Sequence, residues 1–237
     1  MKIPACLTAL ILVATFSGHT ALADAPQSPL KAPPKQEWQL RRESLDHTIN
    51  GWRQNDPEAI TQFDQILTMM EKRPLDRTPM ETLDVMGTYY VPNDGIQKCL
   101  TVIVTNLVLG WYDALRFGSS SGRAEIIDNE QFFLRALVLG GQDVTDKSIK
   151  FLTDHPDQVA QLVAQGIKQA DGLRETQSYD RRWPSGYGLE RILCASGDAD
   201  KCQPQSLPKD QWDAAWAESK QAVTDYFEPK PATAKSR

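Results

Sequence analysis

The chain has 237 residues, with 26 lysines and arginines against 31 acids and a formal net charge of −5, enough length for one substantial core or two small ones. Its charges are interleaved, and no basic cluster could neutralise a run of phosphates, which argues against nucleic acid; the mild acidity argues against an anionic membrane face. Three histidines and four cysteines, none arranged as HExxH, CxxC or CxxCH, provide neither a zinc-hydrolase framework nor a haem attachment site, so no metal and no cofactor is expected.

The first element is a leader. Met1-Lys2 is a basic start, Leu7 to Phe16 a nearly continuous apolar run, and Ala21-Leu22-Ala23 a small-x-small exit before Asp24. That is the layout of a secretory signal peptide cleaved after Ala23, and its apolar run is too short for a permanent anchor. The working protein is therefore expected to be periplasmic or secreted, with no integral membrane span. The leader carries one basic residue and no acid, so its removal leaves a slightly more acidic chain. Residues 24–35 hold Pro26, Pro29, Pro33 and Pro34 with almost nothing large and apolar, which reads as a disordered tether. Residues 229–237 read as a disordered tail, leaving 36–228 as the folded part.

Within 36–228 the apolar period is helical almost throughout. Leu45, Ile49 and Trp52 step by four and three, with Trp38 a heptad earlier. Asp56-Pro57 opens a second helix, a cap followed by proline in the first turn. Its stripe is Ile60, Phe63, Leu67 and Met70, and Arg73-Pro74 stops it. Thr78-Pro79-Met80-Glu81 is a capping box that places Met80, Leu83, Met86 and Tyr90 on one face before Pro92 to Gly95 breaks the chain. Cys99 to Leu115 differs: Val102, Ile103, Val104, Leu107, Val108 and Leu109 surround a helix instead of striping it. Thr105, Asn106, Gly110 and Asp113 interrupt that stretch, which predicts a buried central core helix over a membrane span.

Gly118 to Gly122 reads as a loop. A helix through Phe132, Phe133, Leu137 and Val138 ends at Gly140-Gly141, and 143–153 is short and amphipathic. Pro156 to Leu173 carries Val159, Val163, Ile167 and Ala170 on one side. Residues 175–184 are polar and irregular, 187–193 form a short helix, and Pro208 to Phe227 is the last helix, with Trp212, Trp216, Val223 and Tyr226 on its stripe. The expectation is a single all-α globular domain of about seven to nine helices around a largely buried central one.

In an exported protein Cys194 and Cys202, bracketing a short polar loop, are expected to be disulfide-bonded, and Cys99 to be a buried thiol. Ser120 formally sits in a GxSxG motif, but that motif needs a strand-to-helix turn above a sheet, and helices flank it here. His47 and His155 sit where a solvated helix face and a helix junction are expected. The acids are too many for a catalytic pair to be picked out by spacing.

One segment has the composition of a recognition surface. Residues 179–191 hold Tyr179, Arg181, Arg182, Trp183, Tyr187 and Arg191, which combine large contact area with polar tips and bidentate donors. The competing interpretation is structural, with Trp183 and Tyr187 in the core and the arginines paired to acids such as Asp180 and Glu190. These features favour an exported, non-catalytic protein that contacts another envelope or secreted protein, an immunity-type inhibitor being one version. The alternative is an envelope enzyme, a carboxylate-based hydrolase or lyase, or a small-ligand carrier with its cleft at the arginine/tryptophan loop.

Overall fold

The computed structural model describes residues 37–73, 76–128, 131–196 and 206–228. The expected leader, tether and tail, and the loop carrying Cys202, lie outside the described residues, as does the side chain of Cys194.

The described chain is all-α, with no strand among the described residues, and is organised around one central helix. In order it runs α1 (Glu37–Arg53), α2 (Pro57–Lys72), α3 (Pro79–Val85), a π-helical turn (Met86–Tyr90), α4 (Val91–Asp94), α5 (Ile96–Phe117), α6 (Ser120–Arg123), a second π-turn (Ala124–Asp128), α7 (Gln131–Val138), α8 (Gln142–Asp154), α9 (Pro156–Leu173), a 3₁₀ turn (Trp183–Gly186), α10 (Leu189–Ala195), a 3₁₀ turn (Lys209–Gln211) and α11 (Trp212–Phe227). The expected helix starts are there for the expected reasons. Asp56 accepts from the Glu58 and Ala59 amides at 2.9 and 3.4 Å, and Thr78 and Glu81 form the reciprocal capping box.

α5 is the central helix. It is long and apolar enough to cross a membrane by composition, but two thirds of that window is buried inside the protein, against α9, α11, α3 and α7. Gly166 makes the α9 contact close: a Cβ there would lie 2.6 Å from Val104 Cβ and 2.8 Å from the Thr101 carbonyl oxygen. Thr105 bridges the crossing, donating to the Thr101 carbonyl at 2.8 Å, with the Gly166 carbonyl at 3.0 Å. Gly95, at φ +83°, ends α4 and lets the chain turn into α5. The expected break there is narrower than Pro92 to Gly95, because Pro92, Asn93 and Asp94 remain helical.

Two apolar clusters share α3 and its π-turn as a wall. Met80, Leu83 and Met86 face the main cluster around α5, while Val85 and Tyr89 face a smaller one made with Leu45, Ile49, Phe63, Leu67 and Met70 of α1 and α2. Walled on both sides, all seven residues of α3 are buried, Glu81 and Asp84 included. The expected Gly118–Gly122 loop is partly helical: Ser119 accepts from the Gly122 amide at 3.0 Å and caps α6.

Candidate functional site

The 179–191 segment follows α9 and returns across the end of α5. Its anchor is Asp113, a buried carboxylate on the central helix. Tyr179 Oη donates to Asp113 Oδ2 at 2.8 Å and Trp183 Nε1 donates to the same oxygen at 3.1 Å. Trp183 is 2 % exposed, and Tyr179 is also buried. Burial pushes the Asp113 carboxyl up to about 7, against the opposing pull of Arg116 and of the two hydrogen bonds. Tyr179 is pushed well above the usual phenol range, first by burial and then by Asp113.

Tyr187 is half-buried. Its ring meets Trp183 edge-on at 5.8 Å, and its hydroxyl accepts from Arg42 Nη1 of α1 at 3.2 Å. Arg42 also reaches Asp84, 3.3 Å from Nη2, while Arg135 of α7 grips both oxygens of Asp84 from the other side. Burial raises the Asp84 carboxyl, and Arg135 and Arg42 pull it back. The neighbouring Glu81 takes the Thr78 amide at 2.8 Å and has Arg41 Nη2 at 3.6 Å. The segment therefore joins three elements that the sequence separates widely.

The arginines of the segment have different roles. Arg181 is half-buried, held by Glu175 at 3.2 Å and Gln177 at 2.6 Å. Arg182 is exposed and closes a local clasp on Asp180, with Nε and Nη2 at 2.9 and 2.8 Å from its two oxygens. That clasp holds the Asp180 carboxyl below the usual range. Arg191 is exposed on α10, with no ion pair among the described residues.

α10 is held at its start. Gly188, at φ +87°, donates its amide to Glu125 Oε2 at 2.7 Å, and the Leu189 amide donates to Ser121 Oγ at 2.7 Å. A Cβ at Gly188 would fall 2.3 Å from the Gly122 nitrogen, so the turn lies directly on α6. Beyond it, Leu189 and Ile192, one helical turn apart, are each 55 % exposed.

The structure thus brings Tyr179, Arg181, Arg182, Trp183, Tyr187 and Arg191 into one segment, but it points Tyr179 and Trp183 inward and Arg182 and Arg191 outward. Sequence reasoning did not select Asp113, Arg116, Asp84 or Arg42. A usable signal was present: Asp113 and Arg116 stand one turn apart in the most apolar run, and Glu81 and Asp84 one turn apart after a capping box. Ionisable side chains so placed on a buried helix must find partners.

The other candidate groups are accounted for locally. Ser120 begins α6, directly after the helix α5. His47 is exposed on α1, and His155 stands between α8 and α9 with its ring 5.1 Å from Phe151. Cys99 is buried, and burial pushes its thiol up to about 11, which disfavours the nucleophilic thiolate. Among the described residues no three of His, Cys, Asp and Glu converge as a metal site. Comparison of the chain with protein-family models, with curated proteins and with solved structures returns no match.

Proposed function

We propose that this is an exported, non-catalytic binding protein that acts by contacting another protein through the outer face of residues 182–192. The observation that carries the reading is the pair Leu189 and Ile192, each 55 % exposed, with the exposed Arg191 between them in sequence, on a helix whose start is pinned by Glu125 and Ser121. Apolar side chains held out on a rigid support lose little entropy on docking, and arginine beside them adds directional hydrogen bonds. The inner half of the segment, locked on Asp113, supplies that support. An inhibitor of a secreted antibacterial effector fits this description, since it needs surface complementarity and no chemistry.

The test is crosslinking and affinity purification of the tagged protein from native envelope extract, comparing wild type with Leu189→Asp/Ile192→Asp. One stoichiometric partner, lost in the double variant with the melting temperature unchanged, is the expected result. A partner retained by the variant, or none in the wild type, refutes the reading.

A second reading has one observation in its favour: Asp113, at about 7, titrates where a general acid or base works. Burial and two hydrogen bonds to one oxygen leave it poorly placed to meet a substrate, so binding is the preferred reading.

A further inference from the structure

Arg116 is the most anomalous side chain in the described fold. It is 1 % exposed on the side of α5 that faces the start of α11. Its guanidinium carbon lies 4.4 Å from the Tyr112 ring centroid, 4.5 Å from Phe117 and 4.3 Å from Trp212. A guanidinium stays protonated in proteins and carries five N–H donors with no acceptor. Here Nε and Nη1 have no hydrogen-bond partner among the described residues. The nearest carboxylate, Asp113, comes no closer than 3.9 Å and spends its Oδ2 on Tyr179 and Trp183.

Ring faces offset part of a buried cation's cost, but they do not accept hydrogen bonds as an oxygen or a halide does. A buried charge left without an acceptor is among the most expensive arrangements a fold can hold. The surroundings add positive charge: Lys209 Nζ lies 5.8 Å from the same Trp212 ring. Arg174, on Tyr112, has its own carboxylate in Asp213 at 2.7 Å. Among the described residues no acceptor stands within hydrogen-bonding reach of Arg116 Nε or Nη1.

We propose that Arg116 is the centre of a binding site for a free small monoanion, a carboxylate or a halide, enclosed by Tyr112, Phe117 and Trp212 beneath the strap formed by residues 206–212. The strap is held where such an ion needs a cover: the Leu207 amide donates to the Arg116 carbonyl at 2.7 Å, and Trp212 Nε1 donates back to the Leu207 carbonyl at 2.9 Å. Lys209 at the outer side of the strap favours the approach of an anion. The bound ion takes the Nε and Nη1 donors and fixes the strap, and with it the first turn of α11. This site lies apart from the outer face of 182–192 and is independent of the binding function proposed for it.

The charged and titratable groups facing the site are Asp113 and Tyr112 from α5, Tyr179 and Arg181 from the segment after α9, Arg174 at the end of α9, and Lys209 and Asp213 at the start of α11. Among them, burial pushes the Asp113 carboxyl up to about 7. An ionised Asp113 repels the bound anion, so binding is tighter when it is protonated and weakens by up to about tenfold between pH 6 and pH 8.

The test is isothermal titration of the purified protein with sodium acetate at pH 6 and pH 8, for wild type and Arg116→Met, together with a wild-type crystal soaked in sodium bromide. Saturable acetate binding at pH 6, weakened several-fold and at most about tenfold at pH 8 and absent in Arg116→Met, is expected. If the variant does not fold, the bromide crystal decides: an anomalous peak within hydrogen-bonding reach of Nε or Nη1 supports the site. A water molecule there with no bromide, or no saturable acetate heat in the wild type, overturns it.

Discussion

Replacing Asp113 by asparagine should flatten one component of the protein's pH dependence and leave the 179–188 segment in place. Asparagine keeps a carbonyl oxygen where Oδ2 now accepts from Tyr179 and Trp183, and it carries no charge at any pH. In the wild type the folded carboxyl titrates at about 7, against 3.8 for the free group. The native state therefore holds the proton more tightly than the unfolded state does. Its contribution to stability is complete below about pH 4 and is lost as the pH rises through 7. At about 1.4 kcal/mol per pH unit, the window amounts to about 4 kcal/mol as an upper bound. The difference between the two proteins isolates Asp113, because every other titrating group is common to both. Urea unfolding of each, followed by tryptophan fluorescence from pH 4.5 to 8.5 at fixed salt, measures it. The variant should gain on the wild type progressively as the pH rises, and the gain should level off above pH 8. A constant difference across that range, or a wild type that gains on the variant towards alkaline pH, would show that Arg116 holds Asp113 ionised in an ordinary ion pair and would refute the reasoning.

Three further perturbations test the frame that carries the site. Gly166→Ala places a methyl 2.6 Å from Val104 Cβ; forcing α9 off α5 should cost about 1–3 kcal/mol in urea unfolding, and a neutral result would mean that the crossing yields freely. Asp84→Ala leaves Arg135 and Arg42 beside an empty buried position, at a cost of about 3–5 kcal/mol. A loss below about 1 kcal/mol would place that cluster among solvated surface pairs instead. Cys99, buried with its thiol raised to about 11, should resist a thiol reagent at pH 8 in the native state and react at once in denaturant. When the protein without its leader, and so without Cys6, is unfolded in the absence of reductant, Cys99 should be the single labelled cysteine, provided Cys194 and Cys202 are bonded to each other.

What the sequence made legible, and what it hid, follows from how far apart the interacting residues lie. Helix starts were readable because a cap and its amides are neighbours: Asp56 with Glu58, and Thr78 with Glu81, are two and three residues apart. The central helix was readable because its apolar residues cover more than a single stripe, and in Ile96–Phe117 only Gln97, Lys98 and Val102 are exposed. The Gly118–Gly122 stretch was read as a loop because glycine and serine signal turns, yet Ser119 is also a good cap, and contact with Gly188 and Leu189 keeps the next turn helical. The segment at 179–191 was singled out by composition, but composition cannot say which way a side chain points. Trp183 turns inward because Asp113 lies 70 residues earlier on α5, and Tyr187 is held by Arg42, 145 residues away. No spacing rule connects such pairs.

The same contrast explains why the proposed binding role would leave so little trace in the chain. A catalytic set must converge on a reacting atom, so its residue types and spacings recur. A docking face only has to match its partner, and that partner supplies half of the pattern. What does remain in the sequence is the support beneath the face. A helix as apolar as α5 keeps Asp113 and Arg116 only where burial is compensated, and Asp113 is compensated by the two residues that fix the inner half of the segment. The exposed half holds Leu189, Arg191 and Ile192 outward, and these are the positions at which substitution would separate the proposed recognition from stability.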